Sequence, residues 1–174
     1  YLGDAFLTLE EPAKAASNYH QAMQLYQKVP DSLGQAVASG RQGICTIKAG
    51  DWEQGAKVSN YAVTTLRKIK AVKEEFELII QLSPAHLESQ QWDAAFQTCQ
   101  RQAQLAKSIK QAKYEAIGLR GMGEAMEGQK KIPEALKHYK SAYAILEKAN
   151  PTEAKKLKEK ITTLSKGPAT KAKK

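Results

Sequence analysis

The residue types able to carry chemistry are few in this chain, and they do not converge. His20, His86 and His138 are far apart, and no two stand four residues apart on one helical face, as a zinc protease requires. Cys45 and Cys99 have no partner at metal-ligand spacing. They read instead as small packing residues that stay reduced, which suits a reducing, cytoplasmic setting. Gly40-Arg41-Gln42-Gly43 and Gly118-Leu119-Arg120-Gly121-Met122-Gly123 are glycine-rich. Neither follows a strand pattern or ends in Gly-Lys-Ser/Thr, so they read as places where helices approach closely, not as phosphate loops. Trp52 and Trp92 stand 40 residues apart at the starts of helical segments and read as packing side chains rather than stacking platforms. No catalytic, cofactor-binding or metal-binding residue is expected, and the chain reads as a non-enzyme with no cofactor.

The elements that position these residues are soluble in character. The 174 residues are 42% hydrophobic and 26% charged, which excludes full disorder. No apolar run approaches the roughly 20 residues of a membrane span, and two cysteines exclude a disulfide framework. The net charge is +9, but residues 1–147 carry 18 Lys and Arg against 16 Asp and Glu, while residues 148–174 carry 9 Lys against 2 Glu. The basicity is therefore mostly C-terminal: a solvated tail, or an electrostatic contact with nucleic acid or another acidic surface. The body lacks a basic stripe with interleaved aromatics, which weighs against nucleic acid. The chain begins at Tyr1 rather than Met and reads as a piece of a longer protein.

An internal repeat organises the chain at a spacing of 40. One slot holds Gly3, Gly43, Ser83 and Gly123; the next holds Ala15, Gly55, Ala95 and Ala135; then Tyr19, Ser59, Cys99 and Tyr139; then Ala22, Ala62, Gln102 and Ala142. Small residues dominate three of these slots, as close contact between helices demands. Each copy reads as two helices. In copy four, Ala116, Leu119, Met122, Ala125 and Met126 form one apolar stripe, and Leu136, Tyr139, Ala142, Tyr143 and Leu146 form a second. Breaks are expected near residues 10–12, 50–52, 90–92 and 129–133. Pro84, inside the first helix of copy three, predicts a kink or a break. No segment alternates with period two, so the fold class is all-α.

After copy four, Asn150-Pro151-Thr152-Glu153 is a helix start. Ala154, Leu157, Ile161 and Leu164 follow as one narrow stripe, with lysines elsewhere, as on a helix that closes a solenoid. The expected organisation is helical repeats over 1–149 with the first copy truncated, a capping helix over 150–165, and a disordered Lys-rich tail over 166–174. Copy one has no such cap, and its Leu2, Phe6 and Leu7 could support self-association.

The segments Leu2-Gly3…Phe6…Ala15…Tyr19…Ala22 and Met122-Gly123…Met126…Ala135…Tyr139…Ala142 resemble the tetratricopeptide repeat. Gly50-Asp51-Trp52-Glu53-Gln54-Gly55 and Gln91-Trp92-Asp93-Ala94-Ala95 look like its inter-helix turn. The resemblance covers residues 1–150, best in copies one and four. The period is 40 rather than 34, as in the lengthened repeats of kinesin light chains and spindle-orientation adaptors.

The resemblance implies an α-solenoid whose concave groove, lined by the first helix of each pair, docks a protein, peptide or partner helix. By slot, the groove candidates are Arg41, Ile44 and Lys48 in copy two, Gln81 and Glu88 in copy three, and Arg120, Glu124 and Glu127 in copy four. Ile44 and Ile47 would be apolar anchors. Asp4, Ile44, Pro84 and Glu124 stand where chaperone-binding members carry asparagine, so recognition of chaperone tails is not expected.

Overall fold

The structure is a computed structural model that describes residues 11–166. Readings that fall on residues 1–10 (the first helix of copy one) and on 167–174 (the tail) lie outside the described residues. Eight helices follow one another, with no strand among the described residues: α1 (Pro12–Gln27), α2 (Ser32–Lys48), α3 (Trp52–Lys68), α4 (Val72–Glu88), α5 (Trp92–Ser108), α6 (Ala112–Gly128), α7 (Ile132–Ala149) and α8 (Pro151–Ser165). The protein is an all-α, solenoid-like succession of helices. From α2 onward to α6 a 17-residue helix and a three-residue link alternate, so helix pairs recur every 40 residues. The links at 49–51, 89–91 and 129–131 fall at the expected breaks.

Local chemistry sets these boundaries. The side chains of Asp31, Asp51 and Asn150 accept hydrogen bonds from the backbone N–H groups of Gly34, Gln54 and Glu153, capping α2, α3 and α8. Proline sits in the first turn of α1, α7 and α8, where no N–H is needed. Helices α2 to α6 end on a left-handed residue: Gly50 at φ 101°, and Lys70, Gln90, Lys110 and Lys130 at φ between 56° and 62°. The next N–H then reaches back to the preceding turn, as from Asp51 to the Thr46 carbonyl and from Ala71 to that of Leu66. Pro84 does not break α4, which runs unbroken from Val72 to Glu88. The buried side chains of Ile79, Leu82, Ala85 and His86 hold the helix on both sides of it.

The chain divides after Gln91 into two compact units, a division the repeat pattern does not announce. In the first, α1 to α4, neighbouring helices run antiparallel and α2 touches all three others. Its main core gathers Ile44, Ile47, Ala62, Leu66, Leu78 and Leu82. The small slots are contact points. A Cβ on Gly43 would stand 2.7 Å from the Gly55 carbonyl and 2.2 Å from Ser59 Oγ. In the second unit, α5 to α8, a Cβ on Gly118 would meet the α5 backbone at 2.7 Å, and one on Gly123 the Tyr139 ring at 2.5 Å. Ala15, Gly55, Ala95 and Ala135 are all buried, as are Tyr19, Ser59, Cys99 and Tyr139. Cys45 and Cys99 are buried thiols. Trp92 packs on Gly128 as expected of a packing residue, whereas Trp52 is 44% exposed.

Helix α8 takes the place on α7 that α2 takes on α1. Its cap Asn150 lies 119 residues beyond Asp31. At the same offset Lys160, 4.9 Å from the Tyr139 ring centroid, answers Arg41, 5.9 Å from that of Tyr19. Ala38 and Cys45 become Leu157 and Leu164, which pack back on α7. Ala36, Gly40, Gly43 and Ile47, the residues of α2 that receive α3 and α4, become Lys155, Glu159, Thr162 and Lys166. Charged and branched side chains thus stand on α8 where α2 carries small and aliphatic ones.

Candidate partner groove

The first unit carries an open cavity of about 240 Å³ between α1, α2 and the start of α4. Its walls are apolar: Tyr19, Ala22 and Tyr26 from α1, and Leu33, Val37 and Ala38 from α2. Asp31, Arg41 and Glu74 supply charge. A smaller hollow adjoins it, sharing Val37, Arg41 and Glu74 and adding Glu77, Leu78 and Gln81. Together they form one groove along α2 and α4, apolar at one end and polar at the other. The close approach that shapes it is Gly34 against Tyr26, where a Cβ would lie 2.5 Å from the ring.

Two of the eight candidates, Arg41 and Gln81, line this groove. The Gln81 amide donates to the Glu77 carbonyl at 3.1 Å. Ile44, only 3% exposed, packs in the core with Ile47, because α2 is enclosed on three sides and leaves a narrow strip to solvent. Ile47 is likewise buried in the core. Lys48 and Glu88 are exposed at the far ends of α2 and α4, away from the groove lining.

Arg120, Glu124 and Glu127 do come together in the second unit, but against α8. The Arg120 guanidinium pairs with Glu124 at 3.4 Å and with Glu153 at 3.2 Å. Glu127 pairs with Lys160 at 2.9 Å and accepts a hydrogen bond from the Tyr139 hydroxyl. Burial opposes ionisation of Glu127, yet the Tyr139 hydroxyl and Lys160 together hold its pKa below the usual carboxylate value. Burial first, and the bond to Glu127 second, raise Tyr139 far above the usual phenol value. This cluster joins helices, with its side chains still partly exposed.

Sequence reasoning missed Tyr26, Leu33, Val37, Glu74 and Glu77. A signal existed for the first: Tyr26 occupies the slot of Leu66, Ala106 and Leu146, all buried, while Tyr26 is half-buried at the cavity. A second missed feature is Glu75, buried in the first turn of α4, which accepts from Arg67 at 3.3 Å across the α3–α4 turn.

The chemically capable residues stay dispersed. His138 packs edge-on against Phe96 at 5.6 Å, and burial, then Lys137, lowers its pKa. His20 meets Gln24 and Gln42. No group of three His, Cys, Asp or Glu residues is arranged to hold a metal ion among the described residues. None of the described helices is long and apolar enough to cross a membrane. No protein-family model matches the chain, and no curated protein matches it.

Proposed function

We propose that the chain is a non-catalytic, tetratricopeptide-like interaction scaffold that docks a protein segment in the groove of its first unit, within a larger protein or assembly in the cytoplasm. The observation that carries this reading is the groove along α2 and α4: apolar walls, a cavity able to take a side chain, and Arg41, Glu74, Glu77 and Gln81 beside it to set register. The dispersed histidines and buried thiols favour binding over catalysis. In the second unit, Arg120 and Glu127 are paired with Glu153 and Lys160 of α8, which favours the first unit as the open face.

Photo-crosslinking tests the proposal. A crosslinking residue at Leu33, in the groove, should capture a discrete protein partner, and one at Tyr61, exposed on α3, should not. Capture at Leu33 should fall with Glu74→Arg and Glu77→Arg. Identical adducts from both positions, or capture indifferent to the reversals, would contradict it.

A further inference from the structure

The two ends of the first unit differ in a way the fold does not require. The α1–α2 and α3–α4 turns lie at the same end, because successive helices of the unit run antiparallel. There Leu25, Val29, Ile69 and Val72 are 63%, 58%, 42% and 45% exposed. Around them, residues 24–34 and 66–73 carry Lys28, Arg67, Lys68, Lys70 and Lys73 against a single acid, Asp31. The neighbouring acids lie at the cavity or pair with two of these cations, Arg67 and Lys73. Asp31 and Glu74 line the cavity, Glu75 is buried under Arg67, and Glu77 answers Lys73 at 4.0 Å. The opposite end has the same kind of turn but another composition. Residues 47–54 and 86–91 carry Lys48 against Asp51, Glu53 and Glu88, with Trp52 the one large exposed apolar side chain among them.

We infer that the lysine-rich, aliphatic end of the first unit is a peripheral docking surface for an anionic lipid bilayer. Lysines meet lipid phosphates, and the aliphatic side chains enter the interface between headgroups and acyl chains. Val29 and Ile69 lie in the turns, and Leu25 and Val72 at the adjoining helix ends, so they suit a fluid surface that receives apolar projections without a shaped pocket. The pattern recurs once in the second unit, where Ile109 is 41% exposed between Lys107, Lys110 and Lys113. The surface adjoins the groove, whose Tyr26, Asp31 and Leu33 lie within residues 24–34.

The test is co-sedimentation of the whole chain with phosphatidylcholine vesicles, with and without phosphatidylserine at roughly a third of the lipid. Binding should require phosphatidylserine and weaken with salt. Each lysine at an anionic surface contributes roughly fivefold in affinity, so Lys68→Gln, Lys70→Gln and Lys73→Gln together should weaken binding by roughly a hundredfold. Val29→Ser, Ile69→Ser and Val72→Ser together should weaken it several-fold with the lysines intact. All six positions are exposed, and both triple variants should keep the wild-type helical circular-dichroism signal. No binding to the phosphatidylserine vesicles would overturn the inference. So would binding indifferent to both triple variants, or binding abolished by removing residues 167–174. Equal binding to double-stranded RNA, unaffected by the serine variants, would make the surface a general polyanion contact and overturn it too.

Discussion

Replacing Gly43 with alanine probes the contact on which the repeat depends. Gly43 of α2 faces Gly55 and Ser59 of α3, and the obstruction a methyl group meets is mostly backbone. The new Cβ would stand 2.7 Å from the Gly55 carbonyl oxygen and 2.8 Å from the Ser59 nitrogen, as well as 2.2 Å from Ser59 Oγ. The hydroxyl can rotate away; the two backbone atoms cannot move unless the helices separate. Ordinary carbon contacts lie near 3.5–4.0 Å, so α2 and α3 must part by close to 1 Å in the first unit's core. Overpacking of this kind costs about 3 kcal/mol at the upper end of its usual range. Alanine recovers about 1 kcal/mol over glycine in a helix interior. The net expectation is a loss of about 2 kcal/mol, read as a lower urea midpoint with an unchanged slope. A midpoint unchanged or raised would mean that helix propensity outweighs the clash. The small slots would then not mark backbone contact.

Other expectations follow from the same geometry. Ala135→Leu, at a fully buried position of α7, should lower stability by about 1–3 kcal/mol, and an unaltered melting midpoint would count against the slot alignment. Lys70→Gly and Lys110→Gly should each raise stability by about 1 kcal/mol, read as a higher midpoint, because both lysines hold φ 58° with exposed side chains; a lowered midpoint would refute the strain argument. The pKa of Glu127 is depressed in the folded state, so its contribution is present above the unfolded carboxyl pKa and is lost as pH falls through the folded value. Wild type should therefore lose more stability than Tyr139→Phe on acidification below about pH 4.5. Parallel acid profiles would show that Tyr139 does not stabilise the carboxylate.

Periodicity made the architecture legible, and repeat slots made much of the core legible. The breaks at 49–51, 89–91 and 129–131 were readable because turn residues interrupt apolar stripes there, and the 40-residue spacing put Ala15, Gly55, Ala95 and Ala135, all buried, in one slot. The groove was less legible. Assigning Ile44 to it assumed that a first helix presents one face inward and one to a partner, whereas α2 is hemmed in by α1, α3 and α4. Arg120 and Glu127 read as surface charges because their partners, Glu153 and Lys160, lie 33 residues away in α8, beyond the reach of any local pattern. Pro84 shows the reverse case, where buried neighbours on both sides override a strong local breaker.

The arrangement gives the two units different work under the proposed function. In the second, Leu157 and the Arg120–Glu153 and Glu127–Lys160 pairs seat α8. In the first, the face of α2 beside α4 keeps a cavity walled by two tyrosines and aliphatic side chains.

The most direct test of the docking claim is hydrogen exchange on the whole chain, alone and bound to the partner captured through Leu33. Binding should slow exchange in α2 and the first half of α4, around Val37, Arg41, Glu74 and Leu78, and leave α6 and α7 unchanged. Protection confined to residues 150–166, or lost when residues 167–174 are removed, would contradict the groove and place recognition at the lysine-rich end.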